Sequence, residues 1–435
     1  MHRHTVSLAR SVRGLATQAP TKQYKVVVVG GGPGGLSVSS TLSEQLGHRN
    51  VAVIEPSAVH YYQPMWTYVG GGLKSLADSA RPMADVMPNK VDWVRAKVTQ
   101  VQPEQNTVTL SDGTSVGYEY LVVAAGIQIN WDKIKGLKEA LGKNGVSSNY
   151  SADTVEKTWR FIQNVKGGNA IFTFPGTPVK CPGAPVKIVY LAEEAFRDNG
   201  VRDKVNVMYN SALPKIFGVD HYGKELQKIA DARNITTNFQ HELVEVRGDD
   251  KKAFFKTPDA GIKEFDYEFL HVAPPQGPPA FIKESGLGDA AGWVDVSKET
   301  LRHNKYPNIY ALGDSSSAPT SKTAAAITVE SAVVKHNLAA DLAGKPLSAE
   351  QAAKYDGYTS CPLIVGKNKL ILAEFSGYTG KPMETFPVDQ RTQSRVAQYL
   401  NKEIIPEIYW NGLLTGAWTG PARFRNIFAA FKAAQ

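Results

Sequence analysis

Apolar residues along the chain recur with spacings that predict alternating strands and helices. Residues 26–29 are four consecutive valines, a run typical of a strand buried on both faces of a parallel sheet. Helical spacing follows over residues 36–45, and a second apolar strand covers residues 51–54. This order predicts a doubly wound α/β domain at the start of the chain.

The same plan returns later in the chain. From residue 92 to 123 the period is two, which predicts strands over 93–101, 107–110 and 118–123. A helix (152–165), a strand (170–174), a helix (186–197), a strand (205–209), a helix (223–233) and a second set of antiparallel strands (242–256) follow. The segment YEYLVVA at 118–124 recurs as YEFLHVA at 267–273. We therefore expect two Rossmann-like domains with inserted β-meanders; the alternative is a coincidence between two apolar strands.

The turn after the first strand has the spacing G-x-G-x-x-G at Gly30, Gly32 and Gly35. Glycine there lets the backbone turn tightly and approach a pyrophosphate, which then lies at a helix N-terminus. Glu55 ends the next strand, where an acid can accept hydrogen bonds from an adenosine ribose. These features predict a bound adenine dinucleotide, against the alternative of a glycine-rich surface turn. The irregular loop 56–72 is predicted to act at the ligand.

The corresponding turn of the second domain, residues 174–185, holds four prolines and a cysteine. Such a turn does not make a pyrophosphate cradle, so we expect no nicotinamide dinucleotide there.

A third strand (308–312) ends in Gly313-Asp314 and precedes a helix predicted over 323–342. An acid here can hold the ribityl chain of a flavin while the helix N-terminus, with Lys322, stabilises negative charge on the reduced ring. Alone, Gly313-Asp314 could be an ordinary turn. Together with the first glycine loop it predicts FAD.

Only two cysteines occur, Cys181 and Cys361, which argues against a disulfide scaffold and against a zinc site. Cys181 lies just before a helix, next to Lys180 and one turn from Lys187, and both features lower a thiol pKa. Each cysteine alone would be interpreted as a buried inert thiol. Because one replaces the second dinucleotide loop and the other lies in the C-terminal region, we predict a redox pair facing the flavin, working by thiol–disulfide exchange.

The net charge of +8 is concentrated at the chain ends. Residues 1–25 hold five Lys or Arg and no acid, a pattern resembling a mitochondrial transit peptide; a secretory signal lacks support, and a disordered basic tail is the alternative. The body of the chain has no basic stripe with interleaved aromatic residues, so the sequence does not predict nucleic-acid binding. No run is long enough to predict a membrane-spanning helix.

The C-terminal segment has Phe424, Ile427, Phe428 and Phe431 on one helical face, among cations and without an acid. This pattern predicts a helix lying in a membrane interface. The alternative is a helix that packs in a core or a dimer.

Together these features resemble the sulfide:quinone oxidoreductases, specifically the mitochondrial type, within the flavoproteins that have two dinucleotide-binding domains. The most specific segments are KCPGAPVK at 180–187, PTSKTAAA at 319–326 and SCP at 360–362. Bacterial members often have a third cysteine near the flavin, which this chain lacks as the mitochondrial type does.

The resemblance implies that hydrogen sulfide attacks a bridge between Cys181 and Cys361, either a disulfide or one with an extra sulfur. It leaves a persulfide on Cys361 and a thiolate on Cys181 that reduces FAD. Ubiquinone then reoxidises the flavin, and glutathione, sulfite or coenzyme A removes the sulfane sulfur. The implied location is the surface of the mitochondrial inner membrane. The implied FAD contacts are Gly30, Gly32, Pro33, Gly34, Gly35, Glu55, Gln63, Val98 (on the adenine side), Asp314 and Lys322.

The expected organisation has five parts: a transit peptide (1–23), two segments of an FAD domain (24–150 and 276–345), a second Rossmann-like domain with Cys181 (151–275), and a quinone- and membrane-facing domain with Cys361 (346–435). Two other functions stay open: a type II NADH:quinone reductase, which would need a second glycine loop, and a non-catalytic membrane-bound flavoprotein acting as a binding module.

Overall fold

The computed structural model describes residues 20–259 and 261–433, which form two parallel sheets joined by a long return segment. The strands are β1 (Lys22–Val29), β2 (Val51–Ile54), β3 (Val59–Tyr61), β4 (Ala80–Pro82), β5 (Val91–Val94), β6 (Val98–Gln102), β7 (Thr107–Leu110), β8 (Ser115–Val123), β9 (Gln128–Ile129), β10 (Val146–Ser147), β11 (Gly168–Phe174), β12 (Val205–Ser211), β13 (Thr236–Phe239), β14 (Glu242–Arg247), β15 (Lys252–Thr257), β16 (Gly261–Asp266), β17 (Phe269–His271), β18 (Gln276–Gly277), β19 (Ile309–Ala311), β20 (Tyr358–Gly366) and β21 (Lys369–Ser376).

The helices lie between these strands and at the C-terminal end. They are α1 (Pro33–Leu46), α2 (Trp66–Gly70), α3 (Met83–Val86), α4 (Leu137–Ala140), α5 (Ala152–Asn164), α6 (Ala184–Asp198), α7 (Asp220–Ala232), α8 (Ala280–Glu284), α9 (Ala324–Leu342), α10 (Arg395–Tyr399), α11 (Ile405–Ile408) and α12 (Ala422–Ala433). Two π-helical turns, Leu400–Ile404 and Tyr409–Leu413, flank α11.

The first sheet has the order β5-β2-β1-β8 with all four strands parallel. The long strand β8 pairs with antiparallel β7 along its first half and with parallel β19 along its second half. Its valine-rich centre is enclosed on both faces, as the β-branched runs predict. Strand β19 lies far from β8 in sequence, so the return segment completes the domain that β1 begins.

The second sheet, β10-β17-β11-β12-β13, is entirely parallel, and β14, β15 and β16 form a separate antiparallel sheet. Helices α5 and α6 cover one face of the parallel sheet, within the hydrophobic cluster that also contains α2 and the β20-β21 hairpin. The predicted fold class, two Rossmann-like domains with inserted antiparallel strands, is therefore confirmed.

Three sequence predictions differ from the structure. The strand predicted over 93–101 is two strands, β5 and β6, because residues up to Val94 pair with β2 in the parallel sheet whereas Val98 onward pairs with β7. The loop predicted as irregular over 56–72 contains β3 and α2. Strand β1 begins at Lys22, inside the segment predicted to lie outside the fold. Residues 1–19 of the predicted transit peptide lie outside the described residues.

The C-terminal part packs on both domains through its hairpin. Strand β20 contacts α6 of the second domain and α9 of the return segment. The Tyr222 hydroxyl of α7 donates to the backbone carbonyl of Glu374 on β21, 2.9 Å away. Within the described residues, no helix combines the length and apolar character needed to cross a bilayer.

Candidate active site

The glycine loop between β1 and α1 is shaped by close backbone contacts. Gly30 has φ +103°, and a Cβ there would lie 2.4 Å from the carbonyl oxygen of Ala124. A Cβ on Gly35 would lie 1.9 Å from the carbonyl oxygen of Gly30. Both positions therefore require glycine for packing. Gly32 differs, because no described heavy atom comes within 4 Å of a Cβ built there, so its face is open to a ligand.

Glu55 follows β2 and is held by the same loop. Its Oε2 accepts from the backbone N–H of Gly31 at 2.8 Å, and its Oε1 accepts from the N–H of Ser57 at 2.7 Å. Each carboxylate oxygen has a second lone pair, so acceptor capacity remains for a ribose hydroxyl. The loop and the acid are brought together as the sequence predicts.

The turn after β19 places Asp314 and Lys322 beside each other. The Lys322 ammonium donates to the backbone carbonyls of Asp314 (2.7 Å) and Ser316 (3.2 Å) and lies 3.8 Å from the ring centre of Trp293. Burial lowers the pKa of Lys322, opposed by the nearby Asp314 charge, and burial raises the pKa of Asp314. Lys322 thus places a positive charge at this turn, and its hydrogen bonds to the two carbonyls hold the backbone of the turn in position.

The N-terminus of α9 is where the two domains and the C-terminal hairpin meet. The backbone N–H of Cys181 donates to the carbonyl of Lys322 at 2.7 Å. Thr323 caps α9 through the N–H of Ala326, and its hydroxyl contacts the Thr359 hydroxyl of β20 at 2.8 Å. These contacts bring the cysteine loop and β20 to the end of the helix that the sequence assigns to the flavin.

The two cysteines face each other with 3.8 Å between their sulfurs. A disulfide has about 2.05 Å between sulfurs, so the two sulfurs are not directly bonded in this structure. Cys361 is fully buried on β20, and Cys181 has φ +50° in the turn before α6. A Cβ on Gly183 would lie 2.3 Å from the Cys361 sulfur, so the approach of the pair depends on glycine at this position.

The two cysteines of the pair differ in their thiol pKa. The hydrogen bond from Cys361, together with the Lys187 ammonium 3.5 Å away, lowers the pKa of Cys181 despite its burial. The hydrogen bond to Cys181 and burial raise the pKa of Cys361 well above its usual value. Cys181 is therefore the thiolate of the reduced pair and Cys361 the thiol.

Comparisons with known proteins agree with this geometry. Residues 24–166 match the family described as pyridine nucleotide-disulphide oxidoreductase. The mitochondrial sulfide:quinone oxidoreductase of Mus musculus is 46% identical over 409 residues, covering 93% of this chain and 89% of that protein. Its namesake from Dictyostelium discoideum is 48% identical over 399 residues, covering 91% and 87%.

This chain belongs to the sulfide:quinone oxidoreductase family. The mitochondrial relatives support a mitochondrial location. Solved structures share the fold: the enzyme of Aquifex aeolicus has a TM-score of 0.78 at 18% identity, covering 94% of this chain and 95% of that one. A chain in the Tetrahymena thermophila mitochondrial ATP synthase has a TM-score of 0.79 at 24% identity, covering 93% and 99%.

Sulfide:quinone oxidoreductases use FAD, and the residues present here fit that cofactor. The N-terminus of α1 carries no side-chain cap and no acid in its first turn, so its N–H groups are free for a pyrophosphate. The open face of Gly32 lies at this same end of the helix. Pro33 occupies the first helical turn, and Gly34 packs against Leu312 next to the Asp314 turn.

Two further implied FAD contacts, Gln63 and Val98, lie after β3 and on β6. Gln63 is exposed, and its side-chain oxygen accepts from the Lys180 ammonium at 2.6 Å. Val98 is buried in the first hydrophobic core at the start of the edge strand β6. The roles of both residues at the cofactor stay predictions. Because Lys180 points to Gln63, Lys187 is the lysine that contacts the thiol.

Several residues of the site were missed by the sequence analysis. Glu330 of α9 accepts from the N–H of Gly313 at 2.6 Å, and burial raises its pKa to about 7. His60 contacts the carbonyl of Gly31 at 3.0 Å and the hydroxyl of Tyr409 at 2.6 Å, which joins the C-terminal helices to the glycine loop. An acid in the apolar first half of α9 was the available signal for Glu330. For His60, the only indication of a role in the site was its position in the loop 56–72.

No group of three or more His, Cys, Asp and Glu side chains in the described parts of the chain could hold a metal ion.

We predict that Gly32→Ala retains the fold and loses FAD. Its φ of −74° suits alanine, but the added methyl group occupies the open face of the loop. The FAD content per chain and the circular dichroism spectrum measure the two properties. Gly218→Ala is the matched control, since its Cβ also meets open space. Full FAD content in Gly32→Ala would contradict the proposed cradle.

We predict that Lys187→Met raises the pKa of Cys181, because the cation that stabilises the thiolate is removed. Alkylation of the reduced protein by iodoacetamide, followed from about pH 4 to pH 7, should then slow about tenfold for each pKa unit gained wherever the pH lies below the pKa of Cys181. Lys180→Met is the control, as that ammonium binds Gln63. Equal alkylation rates in the two variants would refute the electrostatic role of Lys187.

Proposed function

We propose that this chain oxidises hydrogen sulfide at the Cys181–Cys361 pair and passes two electrons through FAD to a quinone. The observation that carries the proposal is the sulfur pair itself, 3.8 Å apart and beside a buried ammonium. The backbone N–H of Cys181 also donates to the carbonyl of Lys322, two residues before α9. Membership of the sulfide:quinone oxidoreductase family supports the choice of donor and acceptor.

The charge asymmetry of the pair favours one direction of attack. In thiol–disulfide exchange the sulfur of lower pKa leaves more readily. Hydrosulfide therefore attacks Cys361 of the oxidised pair: a new S–S bond forms on Cys361 and the bond between the cysteines breaks. The electron pair of that bond goes to Cys181, whose thiolate is stabilised by Lys187. The product is a Cys361 persulfide. If the resting bridge holds an extra sulfur, the same attack on Cys361 leaves that sulfur on Cys181, and the leaving group beside Lys187 is a Cys181 persulfide anion in place of the thiolate.

Once the sulfane sulfur of Cys361 has passed to its acceptor, bound FAD would accept the two electrons released when Cys181 and Cys361 re-form their disulfide, and a quinone would take these electrons from the flavin. We propose that the cofactor is held by the residues of the glycine loop, the ribose acid and the flavin turn: Gly30, Gly32, Pro33, Gly34, Gly35, Glu55, Gln63, Val98, Asp314 and Lys322. Lys322 and the N-terminus of α9 would stabilise negative charge on the reduced ring. Glutathione, sulfite or coenzyme A is the proposed acceptor of the sulfane sulfur.

The second domain offers little room for NADH. Its turn after β11 is filled by the chain itself: the Lys180 N–H donates to the Gln276 side chain at 3.0 Å, and the Gly176 N–H donates to Glu242 at 3.2 Å. These contacts use the loop donors that a pyrophosphate would need. They favour sulfide over NADH as the electron donor.

We propose that the C-terminal region binds the surface of the mitochondrial inner membrane. Ten large hydrophobic side chains are exposed in the described residues, and eight of them lie between residues 386 and 427. Ile404, Ile408 and Trp418 line an open, largely apolar groove of about 410 Å³ in the same region. Arg395, Lys402 and Arg423 lie among these side chains in sequence and suit anionic headgroups.

We predict that anaerobic addition of sulfide bleaches the flavin absorbance and that a short-chain quinone restores it. Cys181→Ser and Cys361→Ser should retain FAD and lose at least 99% of the bleaching rate, because no exchangeable bridge remains. Bleaching by NADH instead of sulfide would overturn the proposal in favour of an NADH:quinone reductase. A response to neither donor would favour a binding module.

We predict that deletion of residues 423–435 lowers flotation with liposomes containing anionic lipid by more than half. Val396→Asp should act in the same direction, because Val396 is 70% exposed near the cations. Ile262→Asp is the control, since Ile262 is 56% exposed on β16. Undiminished flotation of the deletion variant would mean that α12 is a packing helix.

A further inference from the structure

Several residues of the second Rossmann-like domain carry buried polar atoms without a hydrogen-bond partner among the described residues, and five of them belong to β10, the segment after it, α5 and β17. The orphan atoms lie on the side chains of Ser147, Asn149, Tyr150, Thr158 and His271. All five residues are at least nine-tenths buried. Buried polar groups in folded proteins are almost always hydrogen-bonded because leaving them unpaired is costly, so five such residues in one region imply a polar occupant.

These residues converge at the carboxyl edge of the second parallel sheet. Ser147 ends β10, His271 ends β17, and the two are register partners. The backbone N–H of Asn149 donates to Nε2 of His271 at 3.0 Å. Thr158 lies on α5, which packs over both strands. In open parallel sheets this edge is where ligands bind, and here the dinucleotide loop beside it has been rebuilt around Cys181.

The unpaired atoms are mostly donors. Because Nε2 of His271 accepts a hydrogen bond, the neutral imidazole carries its proton on Nδ1, which is one of the orphans. Burial lowers the pKa of His271 to about 3, so the ring stays neutral. The hydroxyls of Ser147, Tyr150 and Thr158 and the amide of Asn149 add further donors. An uncharged, donor-rich enclosure suits a small anion.

Tyr150 links this enclosure to the sulfurs. Burial, then the charge of Cys181, with further contributions from Tyr209 and Cys361, raises the pKa of Tyr150 well above its usual value. Its hydroxyl therefore remains a donor within the electrostatic reach of both cysteines. Cys361 is fully buried, so a nucleophile that attacks it must travel through the protein interior.

We propose that Ser147, Asn149, Tyr150, Thr158 and His271 line a pocket that binds hydrosulfide next to the Cys181–Cys361 pair. This inference rests on the proposed function and gives the inorganic sulfur donor its own binding site, separate from the cofactor cradle. The pocket binds by hydrogen-bond donation without a fixed positive charge, so it stabilises the hydrosulfide anion less strongly than a cation would.

The test is an anaerobic stopped-flow titration of the FAD-loaded protein with sodium sulfide. Tyr150→Phe and Ser147→Ala should each raise the sulfide concentration that gives half-maximal bleaching about fivefold to tenfold, since each removes one donor to an anion. The maximal bleaching rate, the FAD content and the rate of reoxidation by quinone should stay within twofold of wild type. Tyr118→Phe is the matched control, because it removes an equally buried orphan hydroxyl from the first sheet.

The outcomes separate the pocket from the proposed function. A wild-type protein that sulfide does not bleach would overturn both. Wild-type bleaching, with the same half-maximal sulfide concentration in Tyr150→Phe, Ser147→Ala and Tyr118→Phe, would overturn the pocket alone and assign the orphan groups to structural water.

Discussion

The hydrogen bond from the Cys181 N–H to the Lys322 carbonyl joins the second domain to the N-terminus of α9. This contact fixes the cysteine loop against the flavin turn, and the packing of α2 on α5 and α6 also joins the two domains. The Thr323–Thr359 contact adds β20, and with it Cys361, to the same point. The redox pair is thus assembled from three parts of the chain, and its position relative to the cofactor cradle is set by the start of one helix.

The buried cation beside the pair explains why the two sulfurs differ. Lys187 is 6% exposed, and an ammonium in such a place is costly unless an anion accompanies it. The Cys181 thiolate is that anion, and its negative charge helps to raise the pKa of Lys187 against the effect of burial. Opening the bridge therefore creates the charge that Lys187 is placed to stabilise. The free energy of this pairing favours Cys181 as the leaving sulfur.

Local sequence signals predicted the parts of the site that depend on backbone conformation. The glycine loop, Glu55 and the Gly313-Asp314 turn follow from spacing alone, because a pyrophosphate and a ribityl chain impose the same geometry wherever they bind. The lowered thiol pKa of Cys181 was predicted from its neighbours in the sequence. The predictions were wrong where strand pairing sets the bounds of an element. Residues 93–101 were predicted as one strand, but part of this range pairs with β2 and part with β7. Lys180 turned out to bind Gln63 instead of assisting the thiol.

The donor-rich pocket could not be predicted from the sequence, since its residues come from 147–158 and 271 and none of them belongs to a recognisable motif.

The central claim of this account is that the cysteine pair delivers electrons directly to FAD. An experimental structure of the FAD-loaded, reduced protein tests it most directly. We predict the Cys181 sulfur within about 3.5 Å of the flavin ring at C4a, the contact distance that reaction requires. A separation of more than about 6 Å, with another side chain between sulfur and ring, would contradict the account.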